Sequence, residues 1–193
     1  IKVHKRVEGV VIAEVDPATK QPIAGTEQLY ECDTLLLSCG LIPENELTRE
    51  AGIKINPITN GPEVNQFMQT SEEYVFACGN VVHVNDLVDN VTDESLRAGQ
   101  YAAQYALGTL PKAKEIPSVT GNNVRYICPQ RICPDAPAKL FFRAAAPKLG
   151  VTMKVYADDK EIYSKKLIKI NPGEMEHLSV ETAGLTSLTV EVK

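Results

Sequence analysis

No Gly-x-Gly occurs anywhere in this sequence, although it holds 12 glycines in 193 residues. Dinucleotide-binding fingerprints need that pair, one glycine for a tight turn and another so that backbone can approach a pyrophosphate. A complete fingerprint is therefore excluded within these residues. Cys-x-x-Cys is missing as well. The five cysteines, Cys32, Cys39, Cys78, Cys128 and Cys133, are odd in number, so free thiols in a reducing cytoplasm are expected rather than a disulfide framework. Long apolar runs are lacking: the best, Thr34 to Ile42, contains Ser38 and Gly40 and is far shorter than the ~20 residues of a membrane helix. No signal-peptide pattern opens the chain. Blocks of Lys and Arg are absent, and a net charge of -5 argues against a nucleic-acid scaffold. These absences together predict a cytoplasmic protein with neither nucleic acid nor membrane as partner. The first residue is Ile1 rather than Met, and the sequence reads as a piece of something longer.

What is present is enough for a core: 44% of residues are hydrophobic and 23% charged, an ordinary globular balance. Val7 to Val15 is β-branched and reads as a strand, and Thr34 to Ser38 as a strand buried on both faces. Glu44 to Ala51 reads as a short helix stopped by Gly52. Tyr74 to Ala77 reads as a strand ending at Gly79. A helix is predicted from Asp93 to Leu107, with Thr92 as N-cap, Asp93 and Glu94 in its first turn and Gly108 at C′. Its inner stripe is small: Ala98, Gly99, Ala102, Ala103 and Ala106, with Leu96 and Leu107 at the ends. Residues 111–121, with Pro111, Pro117 and scattered lysines, read as a linker. Beyond it, residues 122–193 read as a small all-β sandwich. Candidate strands are Val124–Cys128, Lys139–Ala144, Val151–Ala157, Glu161–Ile170, Met175–Glu181 and Ser187–Val192, with turns at Asp158-Asp159-Lys160 and Asn171-Pro172-Gly173.

Metal readings carry little weight. Cys128 and Cys133 are the only close cysteine pair, and they read as packing thiols. His83, Asp86 and Asp89 are spaced by three, yet a solvated loop explains them, and no metal is expected. His4 and His177 are expected at the surface. Arg125, Arg131 and Arg143 are expected to pair with acids of the β module.

Two segments carry a resemblance. The first runs Cys32-Asp33-Thr34-Leu35-Leu36-Leu37-Ser38-Cys39-Gly40-Leu41-Ile42-Pro43-Glu44-Asn45. The second runs Thr70-Ser71-Glu72-Glu73-Tyr74-Val75-Phe76-Ala77-Cys78-Gly79-Asn80-Val81. Their order and spacing resemble the latter half of the FAD-dependent pyridine-nucleotide-disulfide oxidoreductases. There an Asp-led strand ends in Gly-x-x-Pro and closes the NAD(P)H domain, and a Thr-led segment ending in Phe-Ala-x-Gly-Asp returns to the FAD domain. Leu87-Val88-Asp89 and the small-residue helix fit that plan. Within the superfamily the likeness is to bacterial members associated with anaerobic glycerol-3-phosphate metabolism.

The resemblance implies an α/β fold, a partial FAD/NAD(P)-binding Rossmann-like portion over residues 1–110, followed by the β-sandwich module. It implies a parent oxidoreductase passing hydride between NAD(P)H and FAD. Gly79, Asn80 and Val81, with Val91 and Thr92 at the helix start, would be the flavin contacts. Gly79, lacking Cβ, admits close approach. Asn80 stands where the family has Asp, so its amide oxygen accepts without charge assistance. The helix start would point N–H groups at the flavin pyrimidine edge. No catalytic acid, base or nucleophile is assigned. The expected partner is the missing N-terminal part of the same protein, with a second copy or another subunit docking on the β module. Alone, the chain is expected to hold FAD weakly or not at all, to be inactive, and to expose apolar surface around Val10, Leu35 and Leu37. The rival reading is a non-enzymatic binding module on a degenerate nucleotide-binding scaffold.

Overall fold

The computed structural model describes residues 2–3, 6–112, 114–134 and 136–193. They fall into two compact units, residues 1–40 and 41–193. The division lies between Gly40 and Leu41, not within the expected linker at 111–121. His4 lies outside the described residues.

The first unit is built on one antiparallel sheet in the order β1 (Lys2–Val3), β2 (Val7–Ile12), β3 (Gln28–Tyr30). Strand β2 stops at Ile12, before the predicted Val15. Beyond it the chain turns at Asp16, whose carboxylate accepts the N–H groups of Ala18 and Thr19 at 2.9 and 2.7 Å, the local closure that Asp favours in turns. Val15 keeps only an isolated bridge to Pro22. The predicted buried strand over Thr34–Ser38 does not form: these residues have no regular structure, and Leu36 and Leu37 are 89% and 73% exposed. A strand buried on both faces needs pairing partners and a covering layer on each side. Among the described residues of this unit, none pairs with 34–38. Leu35 and Val10 are half-buried.

In the second unit, α1 (Glu46–Glu50) ends before Gly52, whose φ of 72° gives the left-handed turn that glycine allows. Tyr74–Ala77 forms no strand. Phe76 makes an isolated bridge with Gln69, because the chain reverses at Met68 (φ 62°) and leaves too short a partner for a ladder. Gly79–Val81 is a single 3₁₀ turn. Helix α2 runs from Val88 to Ala106, with Leu87 at N-cap and no side-chain cap. Its start therefore lies more than one turn before the predicted Asp93, and Thr92 is no cap: its hydroxyl donates to the Val88 carbonyl inside the helix at 3.0 Å. Asp89, not Asp93 or Glu94, is the acid of the first turn. Gly108 does sit just past the helix, at φ 69°. The predicted small stripe is not the inner face. Glu94 and Ala98 are buried, whereas Gly99, Ala103, Ala106, Leu96 and Leu107 are exposed.

The rest is β. Strand β4 (Ile116–Thr120) lies inside the stretch expected as linker and pairs in parallel with β11 (Leu188–Val192). With β6 (Arg131–Ile132), β8 (Lys148–Ala157) and β9 (Lys160–Ile170) it forms a five-stranded sheet in the order β6-β4-β11-β8-β9. A second sheet has the order β10 (Met175–Val180), β7 (Ala138–Ala144), β5 (Val124–Cys128). The β8–β9 hairpin closes through Asp158 and Asp159, both at positive φ, as two-residue hairpin loops require. One apolar cluster takes residues from both sheets, among them Leu140, Phe142, Val155, Val190 and Val192, all fully buried, which makes the module a sandwich. A smaller cluster joins Val64, Met68 and Val82 to Ala98 of α2 and to Tyr126 and Cys128 of β5. That cluster floors the site.

Candidate functional site

The site is organised around Gly79. Its φ is 71° and it is buried. A Cβ there would meet Val91 Cγ1 at 3.1 Å, so the turn lies directly on α2. The Gly79 N–H donates to Glu94 Oε2 at 2.8 Å. The other oxygen of the same carboxylate lies 2.6 Å from His83 Nε2, and both side chains are 1% exposed. The opposite ring nitrogen, Nδ1, faces the Tyr126 hydroxyl at 3.4 Å, and the two rings meet edge to face.

Burial by itself disfavours the His83 imidazolium, but Cys128 and Glu94 beside it outweigh that cost and hold its pKa well above the usual histidine range. The His83 ring and the Glu94 carboxyl thus form a buried pair whose members each satisfy the other.

The loop around this pair is tied down from several sides. Asn45 donates through Nδ2 to the carbonyls of Asn60 and Val81 at 2.9 and 2.8 Å. Gly61 packs so tightly that a Cβ would fall 1.8 Å from the Val82 carbonyl oxygen. Asp86 takes an ion pair from Arg143 and the Met175 N–H, the latter at 2.6 Å. Asp93 binds Lys139 at 3.1 Å and Arg97 at 3.3 Å.

Of the predicted site residues, the fold brings Gly79, Asn80, Val81 and Val91 together and leaves Thr92 apart on the exposed side of α2. Asn80 is exposed, its Oδ1 accepting the Asn85 N–H at 3.0 Å. Val81 contributes its carbonyl to Asn45. His83, expected on a solvated loop, is buried. Together with Asp86 and Asp89 it forms no metal cluster; none exists among the described residues. Arg131 pairs with Glu115, which precedes the β module expected to supply its acid. Arg143 pairs with Asp86, also outside the β module, and Arg125 makes no ion pair among the described residues. His177 is exposed. Sequence reasoning missed Glu94, His83 and Tyr126. A signal was available: Glu94 shares its helix face with Ala98, Tyr101 and Tyr105, at spacings of four, seven and eleven.

A family signature described as pyridine nucleotide-disulphide oxidoreductase matches residues 1–106, the region that contains this turn and α2. The chain belongs to that family. Members of this oxidoreductase family generally bind FAD and use NAD(P)H, and the family implies a Rossmann-like nucleotide-binding fold; the described residues of the matched region hold the antiparallel sheet β1-β2-β3, the short helix α1, the Gly79 turn and α2. The chain is similar to an assimilatory nitrate reductase electron transfer subunit of Bacillus subtilis, 33% identical over 78 residues, covering 40% of this chain and 10% of that protein. It is also similar to an NADH oxidase of Methanocaldococcus jannaschii, 38% identical over 61 residues, covering 32% of this chain and 13% of that protein. The chain thus matches only a small part of the length of either relative. No solved structure matches it. No helix among the described residues is long and apolar enough to cross a membrane.

Proposed function

We propose that this chain supplies the flavin-facing edge of an FAD-dependent oxidoreductase that passes hydride between NAD(P)H and FAD. The observation that carries the proposal is the Gly79 turn: a buried, positive-φ glycine pinned to α2 by Glu94, with Asn80 exposed beside it. The residues fit one edge of the cofactor. Asn80 offers an exposed amide side chain, and the start of α2, which no side chain caps, carries the partial positive charge of a helix N-terminus, which favours an electronegative ring edge. The Gly79 N–H is committed to Glu94 and the Thr92 hydroxyl to Val88, so neither is a flavin donor. Gly79 and Val91 shape the contact, and Asn80 makes it.

When bound, FAD supplies the two-electron chemistry. This chain's residues hold its edge and keep water from the space beneath the turn, where His83 and Glu94 lie sealed. No residue here is assigned as acid, base or nucleophile. The narrower reading, a bacterial enzyme of the kind associated with anaerobic glycerol-3-phosphate metabolism, rests on the sequence resemblance alone. The β module offers a face for a second copy or another subunit.

The test is reconstitution of the native full-length protein with FAD, read by flavin absorbance. Stoichiometric uptake that Asn80→Ala weakens is the expected result; a full-length protein that takes up no FAD overturns the proposal. The 193 residues by themselves are expected to hold FAD weakly or not at all and to show no turnover.

A further inference from the structure

We propose that the β module positions the Gly79–Asn80 turn through a buried chain of side chains, Tyr126–His83–Glu94, so that Tyr126, His83 and Glu94 are positioning residues for the cofactor edge. The link to the cofactor rests on the flavin reading above; the link to the turn does not.

The chain is continuous. It begins on β5 with the Tyr126 hydroxyl, crosses to His83 Nδ1 at 3.4 Å, leaves by Nε2 to Glu94 Oε1 at 2.6 Å, and ends where Glu94 Oε2 takes the Gly79 N–H at 2.8 Å. Cys128, two residues along the same strand, packs against His83 and favours its protonated form. Four further contacts run from the same three-stranded sheet to the loop and the start of α2. Arg143 of β7 donates to the Val84 carbonyl at 3.0 Å and pairs with Asp86; the Met175 N–H of β10 meets Asp86; Lys139 of β7 meets Asp93. All three strands of that sheet therefore hold residues 83–94 and hence the start of α2.

Stability alone does not call for this arrangement. Taking an imidazole and a carboxylate out of water is costly, and apolar side chains of the same volume fill such a space at least as well. What the pair gives that apolar side chains do not is direction. A carboxylate with one oxygen fixed by His83 presents the other at a set place, and it takes there the N–H of a glycine at a backbone angle other residues resist. Asn80 follows that glycine directly, so its exposed side chain inherits the orientation.

The experiment uses the full-length protein with FAD, and three variants. Glu94→Ala removes both bonds of the carboxylate. Glu94→Gln keeps a carbonyl oxygen for the Gly79 N–H. Tyr126→Phe changes only the far end of the chain, on the β module. FAD dissociation constant, flavin absorption band and hydrogen exchange of the Gly79 amide are measured on each. Glu94→Ala is expected to weaken FAD by about tenfold or more, the worth of one to two hydrogen bonds, to shift the flavin band and to speed Gly79 exchange. Glu94→Gln restores most of all three. Tyr126→Phe moves them in the same direction by a smaller factor. A merely structural role predicts lower melting temperatures with the flavin band and Gly79 exchange unmoved. That result in Tyr126→Phe overturns the proposal even if Glu94→Ala fails to fold. If the wild type binds no FAD, the flavin reading falls by itself, and Gly79 exchange in Tyr126→Phe and Glu94→Gln still decides the positioning chain.

Discussion

Two apolar stretches of this chain meet opposite fates. Leu140-Phe141-Phe142 in β7 is wholly buried, whereas Leu35-Leu36-Leu37 lies without strand neighbours, its second and third leucines exposed. Both lie in stretches that read as strands in the sequence, and 34–38 as the one buried on both faces. The difference lies in partners: β7 has β5 and β10 at its two edges and the five-stranded sheet across its inner face, and 34–38 has none among the described residues. Hydrophobicity states a preference for burial; the presence of a second surface decides whether it is met.

The comparison breaks most visibly at Phe142. Phe142→Ala in β7 empties space between two close-packed sheets, and a loss of about 3–5 kcal/mol in urea unfolding is expected. A loss below about 1 kcal/mol would mean the sandwich is not close-packed there. Next comes Glu94→Ala, which leaves a buried His83 and the Gly79 N–H without their acceptor. Removing one member of such a pair costs about 3–5 kcal/mol, so the variant is expected to rival the core cavity despite removing a polar group.

The same pair makes the second unit sensitive to pH. Because His83 titrates well above the usual histidine range when folded, through the Cys128 and Glu94 beside it and in spite of burial, the folded state binds its proton more tightly than the unfolded state. Its contribution is fully present below about pH 6.5, the unfolded value, and is lost as pH rises through the folded value. Stability should therefore fall between near-neutral and alkaline pH, by at most about 1.4 kcal/mol per pH unit from this one proton. The difference between wild type and His83→Gln, followed by unfolding at successive pH values, isolates it; a flat difference from pH 6 upward would remove His83 protonation from the account. Gly79→Ala is milder. It forces alanine to a φ of 71° and a contact of 3.1 Å with Val91, and about 1–2 kcal/mol is expected, together with weaker FAD binding.

What was legible in the sequence followed the same rule of partners. The six predicted strands from Val124 onward all form within a residue or a few of their expected ends, because alternation and turn signals such as Asp158-Asp159 report on neighbours adjacent in sequence. Gly52 and Gly108 were legible as helix stops for the same local reason. Helix α2 was misphased. Thr92, Asp93 and Glu94 look like a capped first turn, but Glu94 is drawn inward by His83 and the Gly79 N–H, contacts 11 and 15 residues away that no capping rule contains. Strand β4 hid behind Pro117 and scattered lysines, and its parallel partner β11 lies at the far end of the chain. The site followed suit: Gly79 and Asn80 were visible as a motif, whereas His83, Glu94 and Tyr126 become a unit only when α2 and β5 are brought together.

The smallest effect belongs to the exposed run and sharpens the comparison most. Leu36 and Leu37 stand in solvent at 89% and 73% exposure, so in this chain Leu36→Ser and Leu37→Ser remove little buried area. Surface changes of this kind stay within about 0.5 kcal/mol, and the double variant should unfold at the wild-type urea midpoint while aggregating less. The same substitutions in the full-length protein read something different. If another part of the protein, or a second copy, covers the run, each leucine there carries about 1.5–3 kcal/mol of burial, and the double variant loses stability only in that context. A cost confined to the longer protein would identify 34–38 as a strand awaiting its sheet. An equal, negligible cost in both would make the exposed leucines a property of the fold itself, and the contrast with β7 would then be one of sequence rather than of missing neighbours.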